Sequence, residues 1–122
     1  MKINIQKKNS YESVIIRLEG ELDMNNASKF KNQIIKAFKK TNNKFLILNL
    51  KKVNFIDSTG LGVILGRYKV LSKKGGGILL VAMKKQVRKI FSLAGMLNIM
   101  DEFNSEEKAL NKIKLKEEVY HD

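Results

Sequence analysis

Apolar residues near the start of the chain alternate with polar or differently facing ones. Ile3 and Ile5, then Val14, Ile16 and Leu18, follow this period of two, with Lys8-Asn9-Ser10 between the two sets. The pattern predicts an antiparallel pair of strands, the second ended by Gly20. From Asn25 to Lys40 the period changes. Ala27, Phe30, Ile34, Ala37 and Phe38 recur at helical spacing, and Asp23, Asn25 or Asn26 stands ready to cap the first turn. Phe45 to Leu50 (F-L-I-L-N-L) is too short for a stable helix and nearly continuous in apolar character. A strand buried on both faces has that pattern, so this one is expected at the centre of a sheet.

Helical spacing returns with Leu61, Ile64, Leu65, Tyr68 and Leu71, ended by Lys73-Lys74 and the turn Gly75-Gly76-Gly77. Ile78 to Ala82 predicts another buried strand. Val87, Ile90, Phe91 and Ala94 mark a third helix stopped by Gly95, and a short strand is expected around Leu97 to Met100. A last helix starts at Ser105, carries Glu106 and Glu107 in its first turn, and buries Ala109, Leu110 and Ile113. Repeated strand-helix-strand crossovers force parallel neighbours. The predicted fold class is therefore α/β, a mixed sheet of about five strands with about four helices, whose first two strands pair antiparallel. With 122 residues, no proline and no linker-like tract, a single domain over 1–122 is expected.

Composition narrows the chemistry. The chain has no cysteine and one histidine, His121, next to the last residue, where solvent exposure is expected. Disulfides and thiolate metal sites are excluded, and no metal-ligand constellation of usual spacing exists. No apolar run approaches the ~20 residues needed to span a bilayer, and the N-terminus M-K-I-N-I-Q-K-K lacks the apolar stretch of a signal peptide. A soluble cytoplasmic protein with no membrane partner is the expectation. The formal net charge of +12 suggests nucleic acid, but only Arg17, Arg67 and Arg88 of the 24 basic residues are arginine, and the lysines are spread along the chain. Solvated faces are expected instead, with no direct nucleic-acid contact and some attraction for an acidic partner.

The sequence F-I-D-S-T-G-L-G, Phe55 to Gly62, sits where a predicted strand gives way to a helix, at the end of the sheet where ligands and partners usually bind. A hydrolase elbow fails because Ile56 stands where G-x-S-x-G needs its first glycine, and His121 is a poor general base. Gly60, Gly62 and Gly66 are spaced G-x-G-x-x-x-G, which misses both the dinucleotide fingerprint and the P-loop. Gly62 and Gly66, four apart, suit close approach of the helix to the sheet or to a partner. Two roles remain for Ser58: a helix N-cap, and a hydroxyl left approachable by the small residues beyond it.

D-S-T-G-L-G at Asp57 to Gly62 resembles the D-S-[ST]-G-[apolar]-G signature of the bacterial anti-sigma factor antagonists, which have the STAS fold. The resemblance continues through V-I-L-G-R-Y-K at Val63 to Lys69, L-E-G-E-L-D at Leu18 to Asp23 and V-R-K-I-F-S-L-A-G at Val87 to Gly95. It is closer to the sporulation type than to the stress-response type. The resemblance implies a regulator that is not an enzyme. Its unmodified form would bind an anti-sigma factor that is also a serine kinase and so release a sigma factor. That kinase, using ATP and Mg, would phosphorylate Ser58, and a metal-dependent (PP2C-like) phosphatase would restore it; the chain itself would hold no cofactor. By the same resemblance Asp23, Asp57, Thr59, Gly60 and Leu61 would line the surface offered to the kinase. Arg67 would contact the partner, with packing or solvent exposure as its alternatives. The alternatives for the whole chain are a stress-response-type antagonist with a different kinase and a nucleotide-binding protein.

Overall fold

A computed structural model describes residues 1–121, with side chains described for residues 1–115. The exposure expected of His121 lies outside the described residues. Five strands, β1 (Lys2–Lys8), β2 (Ser13–Leu22), β3 (Phe45–Ile56), β4 (Gly77–Val81) and β5 (Asp101–Phe103), form one sheet in the order β1-β2-β3-β4-β5. β1 runs antiparallel to β2, and the other neighbours are parallel. The helices are α1 (Ala27–Phe38), α2 (Ser58–Lys73), α3 (Lys85–Leu93) and α4 (Glu106–His121). The mixed α/β sheet of five strands and four helices is as the periodicity predicts, with β3 at its centre.

The apolar spacing explains the layers. Leu46, Leu48 and Leu50 of β3 point into a large core shared with Phe30 and Ile34 of α1, Ile64 and Leu71 of α2, and Val87 and Phe91 of α3. Phe45 and Ile47 point the other way, into a smaller core closed by Ala109 and Ile113 of α4. Leu110, expected to be buried, is only partly so. Beyond that smaller core the second face of the sheet turns polar. Glu106 at the start of α4 accepts from Arg17 Nε and Nη2 at 2.8 and 2.7 Å and from Asn49 Nδ2 at 2.7 Å, and Arg17 also donates to Asn4 and Gln6.

Three expectations are corrected. Gly20 does not end β2. Its φ of +112° absorbs an irregularity in the β2–β3 register, and the strand continues to Leu22. Leu97 to Met100 is no strand, because Met96 to Asn98 form a 3-10 turn and Met100 N donates to Met96 O at 3.0 Å. That turn puts Met96 and Met100 into the large core, and the strand forms only afterwards, as β5. Ala94, expected to mark part of α3, lies just past its last residue, Leu93, and is exposed. The Gly75-Gly76-Gly77 turn is as expected, and Gly76 is fixed there sterically: a β-carbon would lie 1.7 Å from Lys44 O.

Candidate functional site

β2 and β3 both end at the edge of the sheet where α1 and α2 begin. Asp57 N donates to Leu22 O at 3.1 Å, so the ladder runs on to the residue before α2. Asp57 is in extended conformation and caps the helix. Its Oδ1 accepts from Thr59 N at 2.9 Å, Gly60 N at 3.1 Å and the Thr59 hydroxyl, and its Oδ2 accepts from Met24 N at 3.0 Å. One carboxylate therefore joins the first turn of α2 to the loop between β2 and α1. The Thr59 hydroxyl, then the amides of Gly60, Met24 and Thr59, hold its pKa below the ordinary carboxylate value, against a smaller opposing effect of burial.

Ser58 is thus not the N-cap expected from the sequence. It is the first helical residue, one place past the cap, and is exposed. Among the described residues its hydroxyl makes no hydrogen bond. The amides of Thr59 and Gly60 are taken by the Asp57 side chain, and that of Leu61 by Asp57 O at 3.0 Å. The hydroxyl projects from a turn whose geometry does not depend on it.

Asp23 lies in the adjoining loop. Its Oδ1 accepts from Asn25 N at 2.9 Å, its own amide donates to Asn26 Oδ1 at 2.9 Å, and Asn26 Nδ2 donates to Glu21 O at 2.8 Å. Asn26 is the residue before α1, yet no side chain caps that helix, which corrects the expected cap. Glu21, Asp23 and Asp57 bring carboxylates together at this end of a strongly basic chain, with Lys31 nearby in the groove that Thr59 also lines.

The structure separates the remaining sequence candidates. Asp23, Asp57, Ser58 and Thr59 come together at the tip. Gly60 is buried, and a β-carbon there would meet Leu22 Cγ at 2.7 Å, so this is the glycine that lets α2 approach the sheet. Leu61 is partly buried against the large core. Gly62 and Gly66 do not meet the sheet; nothing lies within 4 Å of where their β-carbons would be. They floor a groove of about 420 Å³ between α1 and α2, lined also by Lys31, Val63, Arg67 and Val70. Arg67, about two and a half turns along α2 from Ser58, sits 5.4 Å from the Phe38 ring centroid, and partial burial pushes its pKa down.

Two exposed apolar side chains that the sequence does not single out flank the tip, Met24 at 74 % and Phe55 at 46 % exposure. Met24 interrupts the polar run Asp23–Asn26, which was the available signal. Among the described residues no three acidic or histidine side chains gather where they could hold a metal ion, and no helix is long and apolar enough to cross a membrane.

The STAS domain family model matches residues 2–109. The chain is 32% identical over 115 residues to the anti-sigma F factor antagonist of Paenibacillus polymyxa, covering 94% of this chain and 98% of that one. It is 29% identical over 101 residues to the anti-sigma-B factor antagonist of Bacillus subtilis (strain 168), covering 83% and 91%. Among solved structures it is similar to the anti-sigma factor antagonist SpoIIAA in its unphosphorylated form, with a TM-score of 0.81 and 29% identity over 93% of this chain and 96% of the other.

Proposed function

The chain belongs to the STAS domain family, and we propose that it is an anti-sigma factor antagonist of the sporulation type, switched by phosphorylation of Ser58. In this proposal the unmodified protein presents the tip and the start of α2 to an anti-sigma factor that is a serine kinase, and a sigma factor is released. The kinase transfers the γ-phosphoryl group of ATP, with Mg, to Ser58 Oγ. A metal-dependent phosphatase removes it. Asp23, Asp57 and Thr59 form the contact surface at the tip, Gly60 and Leu61 shape it from below, and Arg67 meets the partner at the rim of the α1–α2 groove.

The observation that carries the proposal is the exposed Ser58 hydroxyl on a turn held independently by Asp57. Similarity to a protein with a named unphosphorylated form supports it. Phosphorylation adds about −1.5 to −2 charges. The amides of Thr59, Gly60 and Leu61 are already engaged, so the phosphate gains little from the helix and stays in solvent beside Asp57. Docking would then require desolvating a dianion beside two carboxylates, at a cost of several kcal/mol. About 3–4 kcal/mol weakens binding some 10²–10³-fold.

The test is incubation with the host's anti-sigma kinase and ATP, followed by mass mapping of the modified residue. Phosphate on Ser58 and loss of kinase capture by the modified form are expected. Phosphate at another residue, or equal capture of both forms, overturns the proposal. Phosphorylation by a stress-response kinase in preference to a sporulation-type one would move the protein to the alternative branch.

A further inference from the structure

The outward side of α3 carries charge that the fold does not use. Val87 and Phe91 take the core side of this helix. Lys85, Lys89 and Leu93, spaced by four, form a stripe on another side, where Leu93 is 80 % exposed. α3 packs on the part of β3 that projects beyond β4, whose pairing with β3 stops at Asn49. Lys84 Nζ donates to Asn54 Oδ1, tying the two elements together, whereas Lys51 and Lys52 face the other side of the sheet with Arg17 and Asn49. Among the described residues Lys84, Lys85 and Lys89 form no salt bridge. Arg88, beside them, is held by Glu102 at 2.8 Å.

We propose that this face, the Lys85–Lys89–Leu93 stripe with Lys84 at its start, is an attachment surface for an anionic phospholipid bilayer. Charge complementarity selects an anionic occupant, and the side-chain types narrow it further. The available cations are all lysine, point charges without the planar fork that reads bases and phosphates in nucleic acid. A leucine standing out of a lysine stripe suits the boundary between headgroups and acyl chains, where the apolar tip inserts and the ammonium groups stay at the phosphates. The absence of a spanning segment led to the expectation of no membrane partner, but it does not bear on attachment at the surface. The inference is independent of the phosphorylation proposal, because Ser58 begins a different helix.

The test is co-sedimentation of the full chain with phosphatidylcholine vesicles containing about one-third phosphatidylglycerol, at about 0.1 M salt, against vesicles of phosphatidylcholine alone. Binding to the anionic vesicles only is expected. Lys85→Glu with Lys89→Glu should weaken it more than about 25-fold, and the pair Lys85→Gln with Lys89→Gln should act in the same direction. Leu93→Ser should weaken it about three- to tenfold. Lys36→Glu with Lys39→Glu at the C-terminal end of α1 changes net charge equally and should cost less than about threefold. No binding to anionic vesicles, equal losses from the α1 and α3 pairs, or retention on duplex DNA without retention on vesicles overturns the proposal.

Discussion

Replacing Ser58 by alanine separates two roles that the D-S-T sequence leaves entangled. If Ser58 capped α2, the substitution would cost about 0.5–2 kcal/mol. In the structure the capping oxygen belongs to Asp57, while Ser58 is exposed and its hydroxyl makes no hydrogen bond among the described residues. The expected change is then that of an ordinary surface substitution, within about 0.5 kcal/mol. Urea denaturation resolves the difference. With a slope of about 1.5–2 kcal/mol per molar for a domain of this size, the midpoint should move by no more than about 0.3 M. Asp57→Ala should lower it clearly further, because it removes acceptors from Thr59, Gly60 and Met24 together. The pH dependence follows from the sign of the shift. The Asp57 carboxyl is more acidic folded than unfolded, so its contribution is present above the unfolded value, about 3.9, and is lost as pH falls through the folded one. A Ser58→Ala midpoint drop equal to or larger than that of Asp57→Ala would refute the assignment of the cap.

The glycines of α2 should respond oppositely to alanine. Gly60→Ala should destabilise by about 1–3 kcal/mol through its clash with Leu22, whereas Gly62→Ala and Gly66→Ala, with open space around them, should raise stability by up to about 1 kcal/mol in thermal denaturation. Glu106→Gln should cost about 1–2 kcal/mol, between the values for exposed and buried pairs, because it loosens the fork to Arg17 that fastens α4 to the sheet. The Glu106 pKa is lowered chiefly by the Arg17 hydrogen bond, so its charge-dependent advantage should hold above about pH 4.3 and vanish as pH falls through the folded value, where wild type and Glu106→Gln converge. Phosphorylated protein should give a heteronuclear NMR spectrum altered near residues 57–61 and the loop around Met24; shifts spread over the whole sheet would contradict a switch that acts on association.

The fold was largely legible because its periodicities are uninterrupted. All five apolar positions assigned to α1 are buried, and the run from Phe45 to Leu50 lies in the central strand. The misplacements occur where several patterns fit. Asp57 and Ser58 are both good cap formers, and only the ladder contact from Asp57 N to Leu22 O decides between them, since it keeps Asp57 extended. Spacing also misleads among the glycines. Gly62 and Gly66 share a face, but Gly60 is the one four residues before buried Ile64, a signal present in the sequence. Met96 and Met100 are likewise four apart, which favours a turn over a strand. The Arg17–Glu106 fork had no local signal, because its partners are 89 residues apart.

The same geometry bears on why a phosphate could act here without refolding anything. A modification that reshaped the start of α2 would have to compete for the amides of Thr59, Gly60 and Met24, and the Asp57 carboxylate already holds all three. A dianion on Ser58 gains at most the attraction of the helix dipole, roughly 0.3–1 kcal/mol when solvent-exposed, too little to displace that arrangement. Its effect on the free protein is therefore small and favourable in that respect, while its effect on a docked surface is large and unfavourable, because only docking removes the water that screens it from Asp57 and Asp23. The switch would thus depend on the separation of duties between adjacent residues, with Asp57 fixing the shape and Ser58 setting the charge. Exchanging them, as Asp57→Ser with Ser58→Asp, should leave a capped helix that the kinase no longer binds tightly; undiminished kinase binding by that double variant would mean that the position of the charge is immaterial.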